Sequence, residues 1–191
     1  MTDESSSFRV AAIQASPVWF DRDASLEKAV RLIGQAAGQG AMLCAFGEAW
    51  LPGYPLHALA PPAGEVFQEL ANDYLAQGLD VRGPEVQTLC DAARDAKIDV
   101  VIGINEIDDA TRGTLYSSLL FISDEGELLS RHRKLRPAPH ERLVWGDNHD
   151  YDMRSHDRGY AILSGLLGCE HQMALPTYAL AEQGAQIHVA A

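Results

Sequence analysis

The chain has 191 residues, 47% of them apolar, and a formal net charge of −12. That is enough apolar side chain for one sizeable core and hence one domain, while the acidic balance excludes phosphate-rich partners such as nucleic acid and anionic membrane surfaces. No apolar run approaches the roughly 20 residues a membrane span needs. The opening Met1-Thr-Asp-Glu-Ser-Ser-Ser7 lacks the basic and apolar regions of a signal peptide. Three cysteines, an odd number without metal-ligand spacing, fit a reducing compartment, and the cytoplasm is the expected location.

Taken in order, residues 1–7 are polar and expected to fray, leaving one domain over 8–191. Phe8 to Ala15 reads as a mostly buried strand, stopped by Ser16-Pro17. From Asp23, a plausible N-cap, Leu26, Ala29, Val30, Ile33, Ala36 and Ala37 recur at helical spacing, and Gly38 or Gly40 ends the helix. Ala41 to Phe46 is a second strand, so the chain opens β-α-β, the pattern of a sheet covered by helices. Pro52 to Gly64 carries four prolines and reads as a loop of limited freedom. A short helix follows over Phe67 to Tyr74. Pro84 suits the first turn of another, in which Val86, Leu89, Cys90, Ala93 and Ala96 share a face. Val100 to Ile104 is a third strand. Leu115 to Ser123 and Leu128 to His132 flank a hairpin turn with Gly126 available for positive φ. After an irregular stretch from Pro137 to about Gly159, Ile162 to Leu167 reads as a strand, Met173 to Gln183 as a helix and Gln186 to Ala191 as a last strand.

Three positions carry the chemistry. Glu48 follows an apolar strand directly, at the carboxyl end where α/β folds place their sites. Between Phe46 and Trp50 its carboxylate is partly desolvated, which raises its pKa as a general base requires. Lys134 lies in Arg131-His-Arg-Lys-Leu-Arg136, a local positive field in an acidic chain, suited to stabilising a developing anion. Cys169, between Gly168 and Glu170-His171, is a candidate nucleophile, and a free thiol needs a nearby base or cation to act as one. Taken singly, each admits a plainer role: a loop carboxylate, a solvated basic edge, a buried apolar cysteine. The last is the better reading for Cys44 and Cys90. His140, His149, His156 and His171, with Asp147, Asp150 and Asp152, show no metal-ligand spacing on a clear element, so no metal is expected. No Walker or dinucleotide fingerprint is present. Trp50, Tyr54 and Trp145 serve equally as pocket walls or as core.

Together, Phe46-Gly-Glu-Ala-Trp-Leu-Pro-Gly-Tyr-Pro55, His132-Arg-Lys-Leu-Arg-Pro137 with His140-Glu-Arg-Leu-Val-Trp-Gly146, and Cys169-Glu-His171 with Tyr178 to Ala191 resemble the nitrilase branch of the carbon–nitrogen hydrolase superfamily. The resemblance runs over essentially all of residues 8–191. It implies an α/β fold, an α-β-β-α sandwich, of which this chain covers roughly the first two-thirds. It also implies a Glu-Lys-Cys triad with Glu48, Lys134 and Cys169 as members and Glu141 as an assisting second glutamate. The implied substrate is a small nitrile, taken through a cysteine thioimidate and an acyl-enzyme to a carboxylic acid and ammonia without cofactor or metal. The whole protein is expected to be a homo-oligomer. An amidase of the same superfamily, or a non-catalytic interaction protein, are the alternatives.

One register differs from the family pattern Cys-x-Glu. Gly168 stands in the nucleophile slot, and Cys169 stands in the position between it and Glu170. A one-residue shift at a strand end turns a side chain to the other face. Cys169 is therefore expected to point away from Glu48 and Lys134 unless the turn adjusts.

Overall fold

The computed structural model describes residues 7–59, 65–148 and 152–191. Residues 1–6, the second half of the proline-rich loop with Pro61, Pro62 and Gly64, and the pair His149 and Asp150 lie outside the described residues.

Five strands form the larger sheet in chain order: β1 (Arg9–Ala12), β2 (Ala41–Ala45), β3 (Asp99–Ile107), β4 (Leu115–Ile122) and β5 (Leu128–Arg133). The first three run parallel, and β4 and β5 continue antiparallel through the hairpin, where Gly126 takes φ +80°. Two helices, α1 (Arg22–Gly38) and α3 (Pro84–Ala96), cover one face. Their buried stripes, Ala29, Ile33 and Ala36 on one and Val86, Leu89, Cys90 and Ala93 on the other, join Cys44, Val100, Ile102, Ile104, Leu120 and Ile122 in one core. This is the apolar spacing read from the sequence, buried as amphipathic helices require. A further helix, α2 (Glu65–Ala76), contributes the fully buried Tyr74.

The opposite face of that sheet packs on a second sheet, β6 (His156–Asp157), β7 (Ile162–Leu166) and β8 (Ile187–Ala190). Side chains alternate along a strand, so Val101, Leu119 and Phe121 all point to this side. There they meet Leu163, Leu167 and Val189 in a second core. Since β7 and β8 are parallel, α4 (Ala174–Glu182) is the crossover between them, on the outer face. Helices, sheet, sheet and helix make the expected α-β-β-α sandwich.

Several sequence expectations are corrected. β1 is short and mostly exposed, with Val10 49% accessible, because it is the edge of its sheet. The N-cap of α1 is Asp21, whose side chain accepts from the Ala24 N–H at 2.9 Å. Asp23 sits instead in the first turn, where its charge meets the positive end of the helix dipole. β3 runs on past the apolar stretch to Ile107, because Asn105 and Glu106 find buried partners: the Trp145 indole N–H for one, Arg131 and Arg133 for the other.

Candidate active site

Three separate segments converge at the end of the sandwich between the two sheets. The first is the turn after β2. Phe46 N–H donates to Val101 O (2.8 Å), laying the turn across β3. Gly103 of β3 makes this approach possible. A Cβ there would stand 2.4 Å from Gly47 O and 2.7 Å from Glu48 Cα, so only glycine lets the two backbones touch. Glu48 is thereby aimed at the inner face of the sheet.

The second segment is the end of β5. Lys134 N–H pairs with Ser117 O of β4, which places both side chains on the inner face with Leu119 and His132. The Lys134 side chain is 1% exposed, and its Nζ donates to Glu48 Oε1 (2.8 Å) and Glu141 Oε2 (2.7 Å). Ser117 Oγ donates to the same Glu48 Oε1 at 2.8 Å. Glu141, in a short 3-10 turn (Glu141–Leu143), also accepts the Ala138 N–H and the Tyr54 hydroxyl. One buried cation thus lies between two carboxylates, and each carboxylate has further donors. A buried ion pair needs such donors to offset desolvation.

The electrostatics follow from that packing. Burial pushes Glu48 up, and this outweighs the opposing pull of Lys134 and Ser117. Burial pulls Lys134 down, but the two carboxylates more than reverse it and its pKa is raised. Burial likewise pushes Glu141 up, and hydrogen bonds from Lys134, Tyr54 and Ala138 bring it below its usual value. The cluster therefore holds a firm ammonium, a firm carboxylate at Glu141 and a proton-accepting carboxylate at Glu48.

The third segment is the turn after β7. Glu170, with no accessible surface, accepts from His132 Nε2 (2.9 Å), Leu135 N–H (2.7 Å) and Leu167 N–H (2.8 Å). It staples the turn to the end of β5, next to Lys134. Gly168 then takes φ +45°, the conformation of a sharp strand-to-helix elbow that presents a side chain at the top of a sheet. A Cβ at Gly168 would stand 2.6 Å from Glu48 Oε2 and 3.1 Å from Lys134 Nζ. Position 168 thus faces the cluster directly. Cys169, one residue on, is half-buried and donates from Sγ to Arg136 O at 3.5 Å. Burial raises its pKa, Lys134 lowers it, and Glu141, Glu48 and Glu170 raise it further. The thiol feels the cluster's charges but lies beside it, as the shifted register predicts.

The structure therefore brings Glu48, Lys134 and Glu141 into direct contact, with Cys169 on the adjoining turn. Sequence reasoning missed Ser117 and the stapling role of Glu170. Two serines in the midst of the apolar β4 were the available signal for the first. The other two cysteines are buried in the helix-facing core, and burial pushes the Cys44 thiol up to about 12. Among the described residues, no group of three histidine, cysteine or acidic side chains is gathered as a metal site, and no helix is long and apolar enough to cross a membrane.

A profile described as carbon-nitrogen hydrolase matches residues 9–191. The chain belongs to the carbon-nitrogen hydrolase family. It is 49% identical over 178 residues to "Nitrilase 2" from an unknown prokaryotic organism, covering 93% of this chain and 56% of that protein. It is 41% identical over 192 residues to an aliphatic nitrilase of Rhodococcus rhodochrous, covering all of this chain and 51% of that one. An arylacetonitrilase of Aspergillus kawachii is 37% identical, covering 98% of this chain and 56% of its own. The chain thus spans about half the length of these curated relatives. Among solved structures, an amidase from Nesterenkonia sp. superposes with a TM-score of 0.72 at 20% identity, covering 97% of this chain and 65% of that one. At that identity the likeness concerns the carbon-nitrogen hydrolase fold alone.

Proposed function

We propose that the protein hydrolyses a small nitrile to a carboxylic acid and ammonia. Glu48 acts as base, Lys134 as the cation for the reacting nitrogen, Glu141 as the second carboxylate and Cys169 as the nucleophile. The observation that carries this reading is the buried Glu48–Lys134–Glu141 cluster beneath the turn that bears Cys169. The sequence relatives named as nitrilases support the choice of nitrile.

In this reaction Glu48 takes the thiol proton as sulfur attacks the nitrile carbon, and the nitrogen gains a proton to give a thioimidate. Water adds to that carbon, ammonia leaves with the carbon–nitrogen bond, and a thioester remains. A second water cleaves it to the acid and restores the thiol. Lys134 is placed to stabilise charge developing on nitrogen or oxygen. Within this reading the domain is residues 8–191, the setting is the cytoplasm and the whole protein is a homo-oligomer.

A second reading, binding without turnover, is favoured by one observation: Gly168, not Cys169, faces the cluster. An alanine-for-cysteine variant of the Nesterenkonia amidase was solved with butyramide bound. By analogy, a chain whose thiol stands outside the cluster would hold a small nitrile or amide intact.

Ammonia release from a nitrile and from the matching amide separates the readings. The first predicts ammonia from the nitrile, abolished in Cys169→Ala. Release from the amide alone would make the protein an amidase. Saturable binding of either compound without ammonia would favour the second reading.

A further inference from the structure

The tyrosine of the Gly53-Tyr54-Pro55 stretch is fixed against the carboxylate–lysine cluster. Its backbone is fixed from two sides: Tyr74 Oη donates to Gly53 O and Trp19 Nε1 donates to Tyr54 O, each at 2.9 Å. Gly53 takes φ +115°, and a Cβ there would meet the Trp19 ring at 2.6 Å, so the loop packs against that indole only as glycine. The Tyr54 ring meets Trp145 edge to face, with centroids 5.6 Å apart and planes at 82°. Oη is thus held rigidly over Glu141.

A phenol has one proton, and the two contacts of Oη divide accordingly. Tyr54 Oη–H donates to Glu141 Oε1 at 2.7 Å. The contact of Oη with His140 Nε2 at 2.9 Å then requires Nε2 to carry a proton and donate. The other Glu141 oxygen accepts Lys134 Nζ (2.7 Å) and Ala138 N–H (2.6 Å). A continuous chain results: His140 to Tyr54 to Glu141, with Lys134 donating to both Glu141 and Glu48.

We propose that Tyr54, held by His140, is a positioning residue that fixes the orientation in which Glu141 holds Lys134 against Glu48 beneath the turn. Its catalytic meaning rests on the nitrile-hydrolysis reading, but its geometry does not. Without the phenol proton, Oε1 loses its donor, and the carboxyl is held only through Oε2, by Ala138 N–H and by the very Lys134 it would position. The groups facing Glu141 are Lys134 and Tyr54 in contact, with Glu48 and Cys169 within electrostatic reach.

The test is the Glu141 side-chain carboxyl resonance, followed through an acid titration of the whole protein carrying carbon-13 glutamate and assigned with Glu141→Gln. Tyr54→Phe keeps the ring on Trp145 and removes only the hydroxyl, so an upward shift of the Glu141 midpoint is expected. His140→Ala is expected to shift it the same way by less, and His140→Gln, which restores a donor near Nε2, to bring it back. An unchanged midpoint in Tyr54→Phe overturns the proposal. Should that variant not fold, an unchanged midpoint in His140→Ala does so. The titration needs no turnover, so it decides the point even if no nitrile is hydrolysed.

Discussion

The carboxylate–lysine cluster and the turn above it are built to different standards of completeness. Both carboxylates and the ammonium of the cluster have several partners: Ser117 and Lys134 on Glu48 Oε1, Tyr54 and Ala138 on Glu141, both carboxylates on Lys134. The turn has the matching backbone, stapled by Glu170 and bent at Gly168, yet its thiol is on the neighbouring residue and bonded to a carbonyl. Electrostatic preparation and nucleophile placement are therefore separable in this fold. The first is carried by side chains that several strands hold jointly. The second depends on one residue's register at one φ angle.

Breaking the cluster should have the largest effect. Lys134→Leu leaves two buried carboxylates facing each other without their cation, and loss of one partner of such a group costs about 3–5 kcal/mol. Urea unfolding at neutral pH should show that loss, with partial recovery in Lys134→Leu/Glu48→Gln. Recovery is expected because the surviving carboxyl can then ionise alone.

Completing the turn comes next. Gly168→Cys puts a side chain where φ is +45°, which costs about 1–3 kcal/mol, and Glu48 Oε2, 2.6 Å from where the new Cβ would stand, must move aside. Its thiol would stand beside Glu48 and Lys134. In the Gly168→Cys/Cys169→Ala pair, nitrile turnover should therefore exceed that of the unaltered chain despite the lower stability. A fall in turnover would mean that Cys169 already reaches the cluster by a movement of the turn.

Ser117→Ala is the smaller change, removing one hydrogen bond from a largely buried carboxylate for roughly 1 kcal/mol or somewhat more. Since Ser117 helps hold the Glu48 pKa down against burial, its loss should raise that pKa further. In the proposed reaction the ionised Glu48 then appears at higher pH, and the acid limb of turnover should move upward. A limb that stays in place would separate Glu48 from the rate.

pH should also reach stability through Glu141. Its folded pKa lies below its ordinary value, so it contributes stability that is present above the unfolded pKa and lost as pH falls through the folded one. Glu141→Gln should flatten that part of the stability profile; an unchanged slope there would contradict the assigned direction.

Much of this was legible in the sequence, for reasons that are local. The helical period of α3, proline in its first turn and the apolar runs of β2, β3 and β7 each report burial directly. Glu48 and Lys134 were readable because each follows a strand immediately. Ser117 was not, because its partner lies 69 residues away, and the Ser117-Ser118 pair marks a polar spot in the strand without saying what it faces. β3 outruns its apolar stretch for the same reason: Asn105 and Glu106 look like an end until Trp145, Arg131 and Arg133 are folded against them. Asp21 and Asp23 are both acceptable caps, and only the backbone distinguishes them.

The central proposal, that Cys169 beside the carboxylate–lysine cluster is the nucleophile, is tested most directly by trapping. The protein is mixed with a nitrile, quenched in acid within one turnover and mapped by peptide mass. The account predicts the thioimidate or acyl adduct on Cys169, with Cys44 and Cys90 unmodified in their buried core. Undiminished ammonia release in Cys169→Ala, or adducts confined to Cys44 and Cys90, would contradict it.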